Sequence, residues 1–367
     1  MQEVFLTSSA TRITPIIKVV GERCNLKCSY CYYNHINQTP DGNRIMSIEM
    51  LERVISQYLS VFDGPLIFVW HGGEPMLAGI DFYRTVLSLE EIYKNKTHII
   101  TNAIQTNGTL IDHNWATFLK QNGFRVSISI DGVDCVQDKY RRTISGKGTS
   151  NTIERSVSIL REAGVDFNVL QTITKSSLAF LKESFDYFTD ALHIHNWGVN
   201  VFRDVERTNS IMGGESITNE DYFYLITKLL DLWMEKNDPS IIIREIDDYA
   251  LAACGKTPDT CSMSGNCSSF ITIDWDGTVY PCCDNIVSHK GVVPGHLSSD
   301  NLIDIKNGDK RLQLAERINA LPKKCKDCDF LYGCYNGCTY HRENGQNPYC
   351  KAHRDILRYF KDKLLIV

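Results

Sequence analysis

Short apolar runs and helical stretches alternate along the chain from Thr14 to about Phe202. The runs are rich in the residues that favour strands, and the longer stretches between them are typical of helices. Six such strands in series predict an α/β fold with a parallel sheet, either open or curled into a partial barrel. The predicted strands are Ile16–Val20, Leu66–Trp70, His98–Gln105, Arg125–Ile130, Asp166–Ile173 and Trp197–Val201. The predicted helices lie near Ser47–Ser60, Phe82–Tyr93, Asp112–Asn122, Thr152–Ala163 and Leu178–Phe188.

Capping residues support several of these boundaries. Ser47 and Asp112 stand where a helix N-cap is expected, and Gly123 and Gly164 stand where a helix ends. In parallel sheets, active sites form at the carboxyl ends of the strands, because the connecting loops meet there. We therefore expect the chemistry of this region in the loops that follow the strands.

The alternation stops after about Arg203, where a helical bridge begins. Thr218 and Asp221 form a capping box, with aspartate in place of the usual glutamate, that opens a helix running to about Lys236. A second helix is predicted at Arg244–Ala253.

From Cys261 the chain is short-stranded, punctuated by glycine and dense in cysteine. A hairpin is predicted at Phe270–Ile273 and Val279–Cys282, around an Asp276-Gly277 turn. A segment of this kind has little core of its own and is expected to need metal in order to fold.

The composition and the net charge disfavour nucleic-acid and membrane partners. The 367 residues are 43% hydrophobic, which allows a large core, and the length alone indicates about two domains. A formal net charge of -5 gives no global basic field, which disfavours nucleic acid as a partner. The N-terminus has no targeting pattern, and the longest apolar runs are far below the roughly 20 residues of a membrane span. We expect an untargeted cytoplasmic protein without a membrane partner.

Fourteen cysteines are the most informative feature of the composition. Most of them fall into clusters with metal-ligand spacing, whereas an extracellular disulfide scaffold is normally a much shorter chain. Reduced thiolates that hold metal in the cytosol are therefore the better interpretation. The clusters are Cys24, Cys28 and Cys31; Cys261, Cys267 and Cys282; and Cys325, Cys328, Cys334, Cys338 and Cys350.

The first set, Cys24-x3-Cys28-x2-Cys31, directly follows the first predicted strand and is called the cluster loop below. Three thiolates bind three irons of a four-iron cluster and leave the fourth iron open, as a catalytic site requires. The alternatives are a zinc site that lacks one ligand, or scattered core cysteines. The context favours the iron–sulfur cluster, because polar and glycine residues also follow the next three strands. These segments are Gly72-Gly73-Glu74-Pro75, Gln105-Thr106-Asn107-Gly108 and Ser129-Ile130-Asp131-Gly132.

With these motifs the sequence resembles the radical S-adenosylmethionine (SAM) superfamily, whose cluster loop also carries an aromatic residue before the last cysteine. The resemblance implies a partial (β/α)6 barrel over about residues 12–205. It also implies that the open iron binds the amino and carboxylate groups of SAM, whose one-electron cleavage yields a 5′-deoxyadenosyl radical. The implied SAM contacts are Gly72, Gly73 and Glu74 at the methionine amino group, Tyr30 near the adenine, and Ser129 and Arg141. Arg141 is the better candidate for a carboxylate partner, and the alternative is that Arg141 and Arg142 form a solvated pair in a loop.

The remaining eight clustered cysteines resemble the SPASM domain of peptide-modifying radical enzymes. By that resemblance, one auxiliary cluster is held by Cys261, Cys267, Cys282 and Cys338, and the other by Cys325, Cys328, Cys334 and Cys350. A pair of zinc knuckles is the alternative, since such spacings suit tetrahedral zinc equally well. Beside a radical cluster loop we prefer iron, so the expected cofactors are SAM and three [4Fe-4S] clusters. The expected domains are the barrel at 12–205, the bridge at 206–255, the SPASM domain at 256–350 and a C-terminal helix at 351–367.

Nearly the whole chain resembles SPASM-type peptide maturases, including anaerobic sulfatase maturases. The resemblance implies hydrogen abstraction from a residue of a ribosomal peptide or protein. Our main hypothesis is a crosslink, an epimerisation or an oxidation of a ribosomally made peptide, and the alternative is an anaerobic sulfatase-maturing enzyme that forms formylglycine from Cys or Ser. A radical dehydrogenase of small molecules and a non-catalytic iron or zinc protein are weaker alternatives. Expected partners are the peptide or protein substrate and an electron donor such as flavodoxin or ferredoxin. Because only about fifteen residues precede the first strand, a separate leader-binding protein is a further expected partner.

One position departs from the sulfatase maturases, in which an aspartate that acts as general base directly follows the third cysteine of the first auxiliary set. Here that position is Cys283, and Asp284 is one residue further on. A shift of one residue along a strand turns the side chain to the other face, so Asp284 is not an obvious replacement. We take Cys283 and Asp284 as candidate catalytic residues and expect Cys283 to face the substrate as a hydrogen-atom donor or sulfur partner. The alternative for Cys283 is a small buried residue of the hairpin.

Overall fold

A computed structural model of the chain describes residues 13–35, 44–204, 212–282 and 293–364. The strands are β1 (Thr14–Lys18), β2 (Pro65–Trp70), β3 (Ile99–Thr106), β4 (Arg125–Ser129), β5 (Phe167–Ile173), β6 (Asn196–Val201), β7 (Ile242–Ile243), β8 (Phe270–Asp274), β9 (Thr278–Tyr280) and β10 (Gly295–His296). They form one sheet in the order β10-β9-β8-β1-β2-β3-β4-β5-β6-β7. All pairs from β8 through β1 to β7 are parallel, whereas β8–β9 and β9–β10 are antiparallel.

The helices connect these strands and cover the sheet. They are α1 (Ile48–Val61), α2 (Ile80–Tyr93), α3 (His113–Gln121), α4 (Asp134–Tyr140), α5 (Ser150–Glu162), α6 (Leu181–Asp186), α7 (Asn219–Lys236), α8 (Arg244–Ala253), α9 (Cys261–Ser264), α10 (Leu302–Asn307), α11 (Asp309–Asn319), α12 (Lys323–Lys326) and α13 (Cys350–Leu364). None of the helices in the described ranges is long and apolar enough to cross a bilayer.

Local sequence signals set several helix boundaries as predicted. The side chains of Ser47 and Asp112 cap α1 and α3 by accepting backbone N–H bonds. The capping box of Thr218 and Asp221 opens α7 with both reciprocal hydrogen bonds in place. These predictions are confirmed. They could be made from the sequence because each cap joins groups within one turn of the chain.

The predicted helix at Leu178–Phe188 is wrong as a single helix. A 3-10 turn at Ser176–Phe180 precedes α6, and a π-helical turn at Tyr187–Ala191 follows it. Phe185 and Phe188 both pack against the Trp197 ring, at centroid distances of 5.7 and 5.6 Å. Tertiary packing at this position thus accompanies a change of helix type that sequence periodicity does not reveal.

The predicted hairpin forms as β8 and β9, and it joins the sheet at the free edge of β1. The register pairs Ile17 with Ile273 and Lys18 with Asp274. Ile271, Ile273 and Val279 are buried in the main hydrophobic core. The apolar side chains of the hairpin therefore pack in the core of the barrel. One continuous sheet includes strands on both sides of the predicted domain boundaries at residues 205 and 255.

Candidate active site

The cluster loop follows β1 and is fixed at several points of its backbone. The N–H groups of Lys27 and Ser29 donate to the carbonyls of Arg142 and Tyr140, at 2.7 and 2.9 Å. These bonds tie the loop to the end of α4. The Cys24 sulfur accepts hydrogen bonds from the Leu26 backbone N–H at 3.4 Å and from the amide of Asn107 at 3.6 Å.

The three thiols of the cluster loop lie close enough to affect one another's charge. The pKa of Cys24 is raised to about 12, mainly by burial and further by Glu74, Cys28 and Cys31. Burial also raises the pKa of Cys28 to about 12. As free thiols these groups hold their protons at neutral pH, so a bound metal must displace the protons.

Two glycines bring the loop after β2 against the cluster loop. A Cβ on Gly73, whose φ is +51°, would lie 2.1 Å from the Arg23 carbonyl oxygen. A Cβ on Gly72 would lie 2.6 Å from Cγ of Lys18. Any larger residue would push the two loops apart, which explains why this approach requires glycine.

Glu74 joins three strand ends. Its carboxylate is fully buried and accepts hydrogen bonds from the Met76 N–H at 3.0 Å, the Thr106 hydroxyl at 2.7 Å and the Asn107 N–H at 2.7 Å. Burial raises the pKa of Glu74 to about 7, against the effect of these bonds. The side chain therefore positions Asn107, which reaches the Cys24 sulfur. The Glu74 backbone N–H donates to the Arg23 carbonyl at 2.8 Å, which ties the loop after β2 to the cluster loop.

Asp131 organises the opposite side of the cluster loop. It accepts hydrogen bonds from the Tyr30 hydroxyl at 2.6 Å, from Arg141 Nε at 2.9 Å and from the Thr172 backbone N–H at 3.0 Å. The Arg141 guanidinium also lies 5.4 Å from the Tyr30 ring centroid. The sequence analysis included Asp131 in a motif but did not assign it this role. The signal that could have identified it is an acidic residue that follows a buried strand.

The two neighbouring arginines differ in environment. Arg141 is 8% exposed and ion-paired with Asp131, so the solvated-pair alternative is wrong for Arg141. Arg142 is exposed and donates to the carbonyls of Asp138 and Gly146. Arg141 also interacts electrostatically with Cys28, which places its positive charge beside the cluster loop.

The donor set fits an iron–sulfur cluster with SAM. Ser129 accepts a hydrogen bond from the Gln105 amide at 3.1 Å at the end of β4. Among the described residues, Arg23 Nη1 and the Ser29 hydroxyl are buried polar atoms without a hydrogen-bond partner. Three thiols, an unpartnered guanidinium N–H and a glycine-lined loop suit an iron–sulfur cluster and an anionic, carboxylate-bearing ligand.

A second pair of charged residues lies at the neighbouring edge of the site. Lys18 is 1% exposed, and its ammonium lies 4.7 Å from the ring centroid of Tyr33, two residues after Cys31. Asp274 is opposite Lys18 in the parallel register of β1 and β8. Sequence reasoning missed this pair, because the pairing of β8 with β1 is not visible in the local pattern.

Electrostatic interactions link several auxiliary cysteines to one another and to two arginines. Cys325 interacts electrostatically with Cys350 and Cys328, and Cys334 interacts with Cys350 and Cys325. Arg311 faces Cys282 and Cys267, whereas Arg342 faces cysteines of both predicted sets. The candidates Cys283 and Asp284 lie outside the described residues.

A cavity of about 800 Å³ opens beside the aromatic neighbours of Tyr30. Phe202 lies 6.4 Å from Tyr30 between ring centroids, and Arg203 follows it in the cavity wall. Arg203 donates to Glu343 and to the His341 carbonyl, both at 2.6 Å. The lining therefore combines residues that follow β6, the start of α7 and the cysteine-rich region.

Two family models and several known proteins are similar in sequence to this chain. The Radical SAM superfamily matches residues 19–193, and the SPASM iron-sulfur cluster-binding domain matches residues 261–329. The chain is 29% identical over 366 residues to the cysteine-type anaerobic sulfatase-maturating enzyme of Clostridium perfringens, covering 96% of this chain and 97% of the relative. It is 27% identical over 370 residues to the serine-type enzyme of Bacteroides thetaiotaomicron, covering 94% of this chain and 88% of the relative.

Solved structures are also similar to this chain in fold. Native anSMEcpe with bound AdoMet and Cp18Cys peptide has a TM-score of 0.86 at 27% identity, covering 96% of this chain and 98% of that chain. SuiB of Streptococcus suis bound to its precursor peptide SuiA shares the fold alone, with a TM-score of 0.64 at 16% identity over 90% of this chain and 72% of that chain. The predicted partial barrel with a cysteine-rich C-terminal domain is thus confirmed. The chain belongs to the radical SAM superfamily and is an enzyme with a C-terminal SPASM domain that binds iron–sulfur clusters.

Proposed function

We propose that this enzyme oxidises a cysteine or serine side chain of a peptide or protein substrate to formylglycine. The observation that carries the proposal is similarity over almost the full length to anaerobic sulfatase-maturating enzymes of both the cysteine and the serine type. The similarity to SuiB concerns the fold alone. This reverses the order of our two sequence-based hypotheses, and crosslinking becomes the second candidate.

The cluster loop would hold the catalytic [4Fe-4S] cluster through Cys24, Cys28 and Cys31. When bound beside that cluster, SAM would supply a 5′-deoxyadenosyl radical for hydrogen abstraction from the substrate. Arg141 lies beside the cluster loop with its charge fixed by Asp131, so it is placed to orient a carboxylate. Tyr30, Gly72, Gly73, Glu74 and Ser129 complete the proposed SAM contacts. Tyr30 is held by Asp131, which fixes the ring against rotation out of the site.

Two auxiliary [4Fe-4S] clusters complete the proposed set of three. Cys261, Cys267, Cys282 and Cys338 would hold the first, and Cys325, Cys328, Cys334 and Cys350 would hold the second. The second assignment is supported by the mutual electrostatic interactions of Cys325, Cys334 and Cys350. Buried Arg311 and partly buried Arg342 would offset the negative charge of the thiolates.

The substrate peptide would enter through the cavity beside Phe202 and Arg203. Its lining offers charge of both signs, including Asp204, Glu220 and Lys351, which suits a peptide backbone with polar side chains. A small electron-transfer protein such as flavodoxin or ferredoxin would supply the reducing electron. A separate leader-binding protein belongs to the crosslinking hypothesis, because a ribosomal precursor would have to be delivered to the site.

Mass spectrometry of reacted peptides tests the proposal. Anaerobically reconstituted enzyme is incubated with SAM, a reductant and either the Cp18Cys peptide or its serine counterpart. We expect an aldehyde at the reacting residue, trapped as a hydrazone, and no aldehyde with a variant in which the three cluster-loop cysteines are alanine.

The second candidate is favoured by Cys283, a thiol at the position where sulfatase maturases keep a base. It predicts a product that lacks two hydrogens, carries no aldehyde and resists thiol alkylation. Detection of that product in place of the aldehyde would overturn formylglycine formation.

A further inference from the structure

The buried edge formed by β1 and β8 carries a carboxylate that the proposed reaction has not used. Asp274 ends β8 and is half-buried, with one oxygen accepting the Trp275 backbone N–H at 2.8 Å. A Cβ built on Gly21 would lie 3.6 Å from that same oxygen, Oδ1. Asp274 thus lies against the segment that leads from β1 into the cluster loop.

The surroundings of Asp274 connect it to the catalytic centre. Its register partner Lys18 packs its aliphatic chain close to Gly72, in the loop that follows β2. The Lys18 ammonium lies over the Tyr33 ring, and Tyr33 interacts electrostatically with both Asp274 and Cys31. Tyr33 is therefore near both the Asp274 carboxylate and the last cysteine of the cluster loop.

Oxidation of a cysteine or serine side chain needs a group that accepts the proton of its S–H or O–H bond. In sulfatase maturases the aspartate after the third auxiliary cysteine has that role, and this chain has Cys283 there. A thiol with an ordinary pKa of about 8.5 is mostly protonated at neutral pH and accepts a proton poorly. Cys283 is therefore a poor base, and the reaction requires a carboxylate: either its neighbour Asp284 or another one in the chain.

We propose that Asp274 is this proton acceptor and that Lys18 holds its charge, an inference that rests on the proposed formylglycine function. After hydrogen abstraction from the substrate Cβ, the S–H or O–H bond breaks and its proton forms an O–H bond with Asp274. One electron passes to an oxidised iron–sulfur cluster, and a carbon–sulfur or carbon–oxygen double bond forms. With cysteine, water then adds to the carbon and hydrogen sulfide leaves.

Burial and charged neighbours set the pKa of the Asp274 carboxyl. The pKa of Asp274 is raised to about 6, mainly by burial and also by Asp276 and Glu22, while the Trp275 N–H and Lys18 lower it. Glu22 is itself ion-paired with Arg44, whereas Tyr280 and Tyr33 face the same carboxylate. A carboxylate with this pKa is ionised at neutral pH and is a stronger base than an exposed aspartate.

Asp274→Asn tests the proposal in the reconstituted holoenzyme with the Cp18Cys peptide. General base catalysis typically contributes ~10²–10⁴-fold, so we expect aldehyde formed per 5′-deoxyadenosine to fall at least about a hundredfold at neutral pH. Asp276→Asn is the matched control: Asp276 is exposed at the hairpin turn, and asparagine keeps the oxygen that accepts the Thr278 N–H. Because the Asp276 charge raises the pKa of Asp274, its removal leaves Asp274 ionised at neutral pH. Equal aldehyde yields from wild type and Asp274→Asn, or the same loss in Cys283→Ala alone, would overturn the proposal.

The pH profile provides a second, independent readout. Wild-type aldehyde formation should fall as the pH drops below about 6, while iron content stays constant. Lys18→Met should move this acid limb to higher pH, since the Lys18 charge lowers the pKa of Asp274. An unmoved limb in Lys18→Met contradicts the inference even if Asp274→Asn does not fold. Failure of the wild-type enzyme to form aldehyde from either peptide would instead overturn the proposed function, and this inference with it.

Discussion

The buried ion pair between Asp131 and Arg141 gives a quantitative test of the site. Both side chains are almost fully buried, and Asp131 also binds the Tyr30 hydroxyl and the Thr172 N–H. Removing one partner of such a pair typically costs about 3–5 kcal/mol, because the other charge stays buried without compensation. We therefore expect Asp131→Asn to lower the free energy of unfolding by this amount. Tyr30→Phe, which removes one charge-assisted hydrogen bond, should cost about 1.5–3 kcal/mol.

A double-mutant cycle separates the pair from its surroundings. The variants Asp131→Asn and Arg141→Met are measured alone and together by anaerobic urea unfolding, followed by tryptophan fluorescence at constant iron content. When both charges are removed, no uncompensated charge remains, so the double variant should recover about 2 kcal/mol or more of the summed losses. Losses that add within about 0.5 kcal/mol would refute the reasoning, because residues without coupling behave in that way.

Three further outcomes follow from the fold and the cysteine pattern. The Glu90 pKa is raised by burial from 4.5 to about 7, so its stabilising contribution is complete below pH 4.5 and is lost as the pH rises through 7. The loss is about 3 kcal/mol, and Glu90→Gln should remove it from urea-unfolding titrations between pH 4.5 and 7. Iron analysis should find about twelve irons per wild-type chain and about eight when the cluster-loop cysteines are alanine, without 5′-deoxyadenosine formation. Electron paramagnetic resonance should show damage to the first auxiliary cluster in Cys338→Ala and to the second in Cys350→Ala, and changes confined to one cluster would contradict the ligand sets.

Local signals made much of the barrel predictable. Each of the six predicted strands lies within two residues of an observed strand at both ends, because strand-forming runs bounded by glycine and polar residues are read within a few positions. The short helix α4 was missed, since its seven residues follow the Asp131-Gly132 turn and resemble a loop. Periodicity has little power over two turns of helix.

The parts of the site that sequence reasoning missed depend on long-range pairing. Asp131 meets Tyr30 across 101 positions of the chain, and Asp274 meets Lys18 only because β8 adds to the edge of β1. Motif spacing identifies residues that act within one loop. Partners brought together by the order of strands in a sheet have no such local signal.

The register of β8 on β1 has consequences for the whole molecule. Ile271 and Ile273 are 1% and 0% exposed, whereas Thr272 and Asp274 lie on the opposite face of the strand. A slip of one residue would turn the Asp274 carboxylate into the hydrophobic core and place both isoleucines on the polar side of the strand, at a cost of several kcal/mol. The register is therefore fixed by the core. Since Cys282 follows the second strand of the same hairpin, that core also fixes the position of this cysteine relative to the cluster loop. A sheet, and not a flexible linker, thus connects the SPASM region to the catalytic centre.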